Sequence, residues 1–256
     1  YMFTCTSHEY VLFFSNLGRV YRLKAYQVPE GSRTSKGLNI VNLLPLTENE
    51  SITAMLHVPS MEEELNLCML TKKGIIKRTL LSAYNTARKG GIIAIDLDED
   101  DELCFTALTS GSDELIIATK KGMAIRFKET DARLLGRTAR GVRAINLSDE
   151  KDDSVIGCAV VEEGKALLTV TETGFGRVSE FDNYRLQSRG GKGLINYHTE
   201  KFGDVAAVAA ISGDEDAILI SAGGIIIRIP TVSISKFARP SKGVRVMRTD
   251  EADKVV

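Results

Sequence analysis

The feature that most constrains this chain is a pair of glycines that recurs five times. An apolar run ends at a first glycine, a base follows three or four residues later, and a second glycine comes 17 or 19 residues after the first. The first glycines are Gly18, Gly74, Gly122, Gly174 and Gly224; the second are Gly37, Gly91, Gly141, Gly193 and Gly243. Aligned on the second glycine, successive copies lie 50 to 54 residues apart. Repetition at that period implies one supersecondary unit used many times, in a propeller-like or stacked architecture.

Charge follows the repeat. The windows 18–39, 74–93, 122–143, 174–195 and 224–245 hold 24 of the 33 Lys and Arg but only 5 of the 34 Asp and Glu. The formal net charge of −1 therefore conceals +19 inside the windows and −20 outside them. A closed array would set the windows at equivalent positions and form a ring of positive charge, suited to a polyanion on a curved path.

Composition is ordinary for a globular protein, with 43% hydrophobic and 26% charged residues. No apolar run approaches bilayer-spanning length. The segment from Tyr1 to Tyr10 has no basic region followed by an apolar one, so no signal peptide is expected. The absence of Met at position 1 suggests a fragment of a longer chain. Cys5, Cys68, Cys104 and Cys158 are far apart and form no C-x-x-C, so free thiols are expected.

Each copy reads as strands. A strand such as Tyr10–Phe14 or Glu114–Thr119 leads into a short turn ending in the first glycine, which supplies the positive φ of a hairpin. A second strand follows, carrying Arg22, Arg78, Arg126, Arg177 or Arg228. A connection rich in Ser, Thr and bases then reaches the second glycine. It opens a third apolar strand, expected over Leu38–Leu44, Ile92–Leu97 and Val142–Leu147. Acidic turns such as 98–102, 149–153 and 214–216 precede one more strand. The expected fold is all-β and propeller-like, with about 50 residues and four strands per blade, five visible repeats, and a single domain over 1–256. Basic and acidic connections should fall at different edges of each blade, the acidic turns being solvated loops.

The chain resembles the C-terminal domain of the A subunit of bacterial DNA gyrase. The resemblance rests on Phe13-Phe14-Ser15-Asn16, Gly18-Arg19-Val20-Tyr21-Arg22, Pro29–Gly37 and Ile40-Val41-Asn42-Leu43-Leu44. Gly136-Arg137-Thr138-Ala139-Arg140-Gly141-Val142 and Gln187–Gly193 extend it over nearly the whole length. The topoisomerase IV counterpart is similar but a weaker match. The resemblance implies a six-bladed β-pinwheel that binds, bends and wraps duplex DNA without sequence preference, making strand passage by the parent enzyme directional for negative supercoiling. It also implies partners: double-stranded DNA, the rest of the gyrase A polypeptide, and the gyrase B polypeptide in an A2B2 complex, with no membrane. The setting implied is the cytoplasm, near the nucleoid. No catalytic residue, metal or cofactor is expected in this domain; ATP and Mg²⁺ belong to the rest of the enzyme.

The family's heptapeptide box reads Gln-Arg-Arg-Gly-Gly-Lys-Gly and lies on the first blade. Here the box-like segment is Gln187, Ser188, Arg189, Gly190, Gly191, Lys192 and Gly193, in the fourth repeat, with Ser188 in place of the first arginine. The first-blade box is expected upstream of Tyr1.

The candidate DNA ligands form two sets. One comprises the strand bases Arg22, Arg78, Arg126, Arg177 and Arg228; the other comprises the loop bases Arg33, Lys36, Arg88, Lys89, Arg137, Arg140, Arg189, Lys192, Arg239 and Lys242. Many contacts are needed, because bending a 20–30 bp site by 40–90° costs on the order of 1–6 kcal/mol. The alternative is an interaction propeller whose basic edge takes an acidic protein. A propeller enzyme finds no support: His8, His57 and His198 have no metal spacing, and Gly190–Gly193 lacks the spacing of a nucleotide-binding loop.

Overall fold

A computed structural model describes residues 3–32, 34–86, 88, 90–147, 152–250 and 252–256. The described residues are almost wholly β. The strands in the first part of the chain are β1 (Tyr10–Ser15), β2 (Arg19–Lys24), β3 (Ile52–Val58), β4 (Asn66–Thr71), β5 (Ile75–Leu80), β6 (Ile92–Ile93) and β7 (Leu103–Thr109). Then follow β8 (Glu114–Thr119), β9 (Met123–Lys128), β10 (Val142–Arg143), β11 (Val155–Val161), β12 (Ala166–Thr171), β13 (Phe175–Glu180) and β14 (Leu194–Ile195). The last are β15 (Val205–Ile211), β16 (Asp216–Ile220), β17 (Ile226–Pro230) and β18 (Val244–Arg245). One single-turn α-helix, Thr199–Phe202, interrupts them. None of the four cysteines forms a disulfide.

The strands make four four-stranded antiparallel sheets, ordered β3-β1-β2-β6, β10-β5-β4-β7, β11-β8-β9-β14 and β15-β12-β13-β18, and a two-stranded hairpin β16-β17. Three strands of each four-stranded sheet come from one repeat. The fourth comes from the next repeat, where it follows the second glycine. The basic connection therefore enters one edge strand of a sheet and the acidic turn enters the opposite edge strand, as the charge pattern predicts.

Two expectations are corrected. The strand after the second glycine is only two residues long, because the chain then dives beneath a hairpin. Asn196 and Tyr197 both donate their backbone N–H to the carbonyl of Gly122, at 2.7 and 3.0 Å. Ala94 and Ile95 do the same to Gly18, and Val246 and Met247 to Gly174. The remaining apolar residues of the run, such as Ile95, Tyr197 and Met247, are core rather than strand. Second, Leu38–Leu44 forms no strand; a 3₁₀ turn occupies Ile40–Asn42. The other four copies of this segment add to the sheet of the preceding repeat, as β6, β10, β14 and β18.

The hairpins share one device. Ser15, Thr71, Thr119, Thr171 and Ser221 each accept, on the side-chain oxygen, the N–H of the residue after the first glycine, at 3.1–3.3 Å. This bond closes the turn and satisfies a donor that the ladder leaves unpaired. At Gly122 (φ +81°) and Gly193 (φ +78°) a side chain has no room: an added Cβ would overlap the carbonyl oxygens of Tyr197 and Ala124.

The chain packs as two compact units, Tyr1–Gly111 with Ala132–Val142, and Ser112–Asp131 with Arg143–Val256. In the first, Leu12, Phe14, Val20 and Ala54 of one sheet bury against Leu67 and Met69 of the next. Val11 and Phe13 point the other way and pack with Tyr21 and Leu44. In the second, Ile116, Ala118 and Ala124 pack with Leu167, Phe181 and Tyr184. Leu168, Val170 and Val178 pack with Leu219, Ile234 and Met247.

Gly193→Ala should destabilise the protein by at least about 2 kcal/mol, through the left-handed backbone and the overlap with the Ala124 carbonyl. Gly136 has open space and no positive φ, so Gly136→Ala should stay within about 0.5 kcal/mol of the parent. Chemical denaturation of the two variants checks the contrast.

Candidate nucleic-acid interface

The strand bases divide by register. Arg22, Arg78, Arg126 and Arg228 are the fourth residue after a first glycine, whereas Arg177 is the third. Because side chains alternate across a strand, one step moves a residue to the other face. Arg177 is accordingly fully buried, contrary to its expected place among surface ligands. Its partners are neutral: Nε donates to Ser179 Oγ at 3.0 Å, one terminal nitrogen to Asn196 Oδ1 at 2.8 Å, and the other to the Ser241 carbonyl at 3.5 Å. Its guanidinium stands 4.7 Å from the ring centre of Tyr197. Burial pulls the Arg177 pKa down and pushes Tyr197 up to about 12, so the phenol stays neutral.

The true equivalent of Arg177 in the second repeat is Lys77, which the sequence pattern left unremarked. Lys77 is also fully buried. Its ammonium donates to the carbonyls of Ala94, at 2.6 Å, and Arg137. Burial first, and the Arg137 charge second, lower its pKa to about 8.

The other strand bases also have partners within the protein. Arg126 bonds Glu114 at 2.7 Å and the Phe181 carbonyl at 2.8 Å. Arg228 is exposed but pairs with Asp216 at the matching position, 12 residues upstream. Arg22 lies 4.8 Å from the ring centre of Tyr10, again 12 residues upstream, and donates to Asn85. Arg78 is buried and donates to the Gly111 carbonyl at 3.2 Å.

The loop bases also fall into two kinds. Four residues before the second glycine, Arg137, Arg189 and Arg239 are half-buried and make one repeated contact. Each donates to the carbonyl two residues beyond the preceding second glycine: Ile93 at 2.9 Å, Arg143 at 2.9 Å and Ile195 at 3.1 Å. Arg189 and Arg239 add a bond from Nε to a turn carbonyl, Asp131 and Asn183. These arginines are staples between successive loops. One residue before the second glycine, Lys36, Arg140, Lys192 and Lys242 are exposed; Arg140 pairs with Asp98. Arg88 is exposed too. Arg33 and Lys89 lie outside the described residues.

In the box-like segment, Gln187 and Gly190 donate their backbone N–H to the carbonyls of Arg126 and Ala144, while Gly191 accepts from Asn146. Ser188 and Lys192 face solvent. The segment is built as its neighbours are, with Arg189 inward and Lys192 outward.

Sequence reasoning missed Arg143 and Arg245, exposed on the short edge strands two residues after a second glycine. It also misjudged the acidic turns. Asp101, Asp153 and Asp253 each accept two backbone N–H bonds, at 2.8–3.0 Å, including one from the hairpin turn of their own repeat. Those carboxylates are turn caps, and hydrogen bonds hold Asp253 below the usual carboxylate range. Among the described residues no group of His, Cys, Asp or Glu could hold a metal ion, and no helix is long and apolar enough to cross a membrane.

Five segments, 9–59, 65–108, 113–162, 165–212 and 215–256, match the family described as DNA gyrase C-terminal domain, beta-propeller. The chain belongs to that family. It is 42% identical to the DNA gyrase A protein of Haloquadratum walsbyi over 99% of its length, and 42% identical to that of Staphylococcus aureus over 96%. It spans only 30% and 28% of those proteins. Among solved structures, a DNA gyrase A C-terminal domain superposes with a TM-score of 0.84 at 26% identity, covering 98% of this chain and 82% of that one. The C-terminal domain of a DNA topoisomerase IV superposes with a TM-score of 0.87 at 22% identity, covering 97% and 78%, which shows the shared fold.

Lys77 gives a pH signature. Between pH 8 and 10 the folded side chain is losing its proton while the unfolded one keeps it, so unfolding takes up a proton and stability rises with pH. The limit is about 1.4 kcal/mol per pH unit for one proton. Tyr84 and Tyr197, both raised to about 12, act in the opposite sense, but only above pH 10. Denaturation midpoints of the parent should climb across pH 8–10 relative to Lys77→Met, which lacks the titrating group; parallel profiles would contradict the assignment.

Proposed function

We propose that this domain binds duplex DNA non-specifically through the exposed loop bases, bends and wraps it, and thereby gives direction to strand passage in a gyrase. The observation that carries the reading is the division of labour in the loops. The inward Arg189 and Arg239 fix the loop backbone, which leaves Lys192 and Lys242 displayed at the same step of the last two repeats. Such bases match a regular line of phosphates, and phosphate contact sets position without reading sequence. In the second unit the carboxylate of Asp153 is engaged in a turn cap at the edge strand opposite β14.

On this reading the domain carries out no chemistry of its own and uses no cofactor; ATP and Mg²⁺ serve the rest of the enzyme. Its partners are the remainder of the gyrase A polypeptide and the gyrase B polypeptide in an A2B2 assembly, in the bacterial cytoplasm at the nucleoid. Family membership and the charge pattern support this assignment. An acidic protein partner would be the rival outcome.

Binding of a duplex of about 30 bp should weaken steeply with salt, each neutralised phosphate adding about −0.9 to the log–log slope. Lys192→Ala should make the slope shallower by about one. Arg189→Ala should act differently, raising hydrogen exchange in the loop at residues 143–146 through loss of its staple. A flat slope, or tighter binding of an acidic polypeptide than of duplex, would overturn the proposal.

A further inference from the structure

We propose that the strongest phosphate grip of the second unit is a cation–aromatic site formed by Lys242 and Arg245 on Phe175. The box-like segment is not that site. This inference rests on the DNA-binding reading and says where its affinity is concentrated.

The two bases flank the second glycine of the last repeat, Gly243. The Lys242 ammonium stands 4.2 Å from the ring centre of Phe175, and the Arg245 guanidinium 4.4 Å from the same centre. Arg245 is directly across the ladder from Phe175. A second ring, Phe202, lies 6.2 Å from Phe175 and 5.6 Å from the ammonium. Both bases are exposed, and among the described residues neither has a carboxylate within ion-pair distance. Arg140, Arg228 and Lys236 do have one.

Two unpaired positive charges therefore share one ring, within about 9 Å of each other, which is about one Debye length at physiological salt. Like charges so placed repel, and a phosphodiester between them relieves the repulsion. The ring also limits the rotamers of two side chains that would otherwise lose much conformational freedom on binding. Beneath them the loop is anchored: buried Arg177 donates to the Ser241 carbonyl and the Tyr197 hydroxyl to the Lys242 carbonyl. Arg177 is thus a positioning residue for the loop that carries Lys242. The box-like segment has no such pair. Its counterpart of Arg245 is Ile195, so Lys192 stands there alone.

The test is duplex binding by the full chain at about 50 mM and about 200 mM salt. Lys242→Ala with Arg245→Ala should lose roughly tenfold or more in affinity at the lower salt and make the slope shallower by about two. Lys192→Ala should change the slope by only about one. Phe175→Leu keeps both charges; it should lose roughly two- to fivefold in affinity with an unchanged slope. Exchanging the bases, Lys242→Arg with Arg245→Lys, should keep the parental slope and so separate lost charge from a damaged fold. A parental slope in the double alanine variant would overturn the site while leaving DNA binding intact, as would parental affinity in Phe175→Leu. Absence of duplex binding by the unaltered chain would overturn the DNA-binding reading, and this site with it.

Discussion

The fold hangs on one joint, made where the carbonyl of a first glycine accepts two backbone N–H groups from the segment that follows the next repeat's second glycine. Gly122 receives Asn196 and Tyr197; Gly174 receives Val246 and Met247. Both glycine series serve this joint. Gly18, Gly122 and Gly174 must lack a side chain because the incoming segment lies against them, and Gly141, Gly193 and Gly243 because each crosses another backbone closely. A spacing of 17 or 19 residues between the glycines of one repeat is thus the length of chain needed to leave one joint and reach the next. The joint also explains why each sheet borrows its fourth strand. Two residues of pairing, such as Leu194–Ile195 on β9, are what remain once the rest of the run is drawn into the core.

Borrowing a strand makes the basic loop a bridge, and a bridge needs its own backbone bonds. The arginine four residues before the second glycine supplies them by reaching the preceding loop's carbonyl. A planar guanidinium with several fixed donors suits this task, since it can bond two carbonyls at once, as Arg189 and Arg239 do. The bases next to the second glycine project outward from a backbone already held on both sides. Periodic positive charge has two physical causes here, one in folding and one in surface potential, superimposed on the same stretch of chain, 137–143, 189–195 and 239–245.

The repeat, the all-β class and the separation of charge between sheet edges were legible in the sequence, because each depends on spacing and sign alone. What was not legible depended on parity or on exchange between repeats. Arg177 and Arg126 look alike in the text, yet one residue of register puts the first wholly in the core and leaves the second half-buried against Glu114. Aligning on the glycine rather than on the nearest base would have found this, and would have brought Lys77 into view. Ile92–Leu97 looks like one strand because burial beneath a hairpin and burial in a sheet select the same apolar residues. The capping role of Asp101, Asp153 and Asp253 was hidden in acidic runs whose other members give the impression of a solvated face. The recurring Ser or Thr three residues before each first glycine was visible throughout, and its bond to the turn is the reason for it.

Buried cations set the limit on how similar the repeats can become. The third position after the first glycine holds Tyr21, Lys77, Ile125, Arg177 and Ile227, three polar side chains and two apolar ones at one structural site. Each polar choice brings its own acceptors. Tyr21 bonds the Glu50 carboxylate at 2.9 Å, Lys77 takes two carbonyls, and Arg177 takes Asn196, Ser179 and Ser241. A buried polar group left without its partners costs about 1–3 kcal/mol and a charged one more, so these residues cannot be exchanged singly between repeats. An apolar residue at the site frees the loop above it from such bonds. A buried arginine instead ties the loop down, as Arg177 ties Ser241 beside Lys242. Variation at this one interior position thereby decides which surface loops are bonded to a buried side chain beneath them.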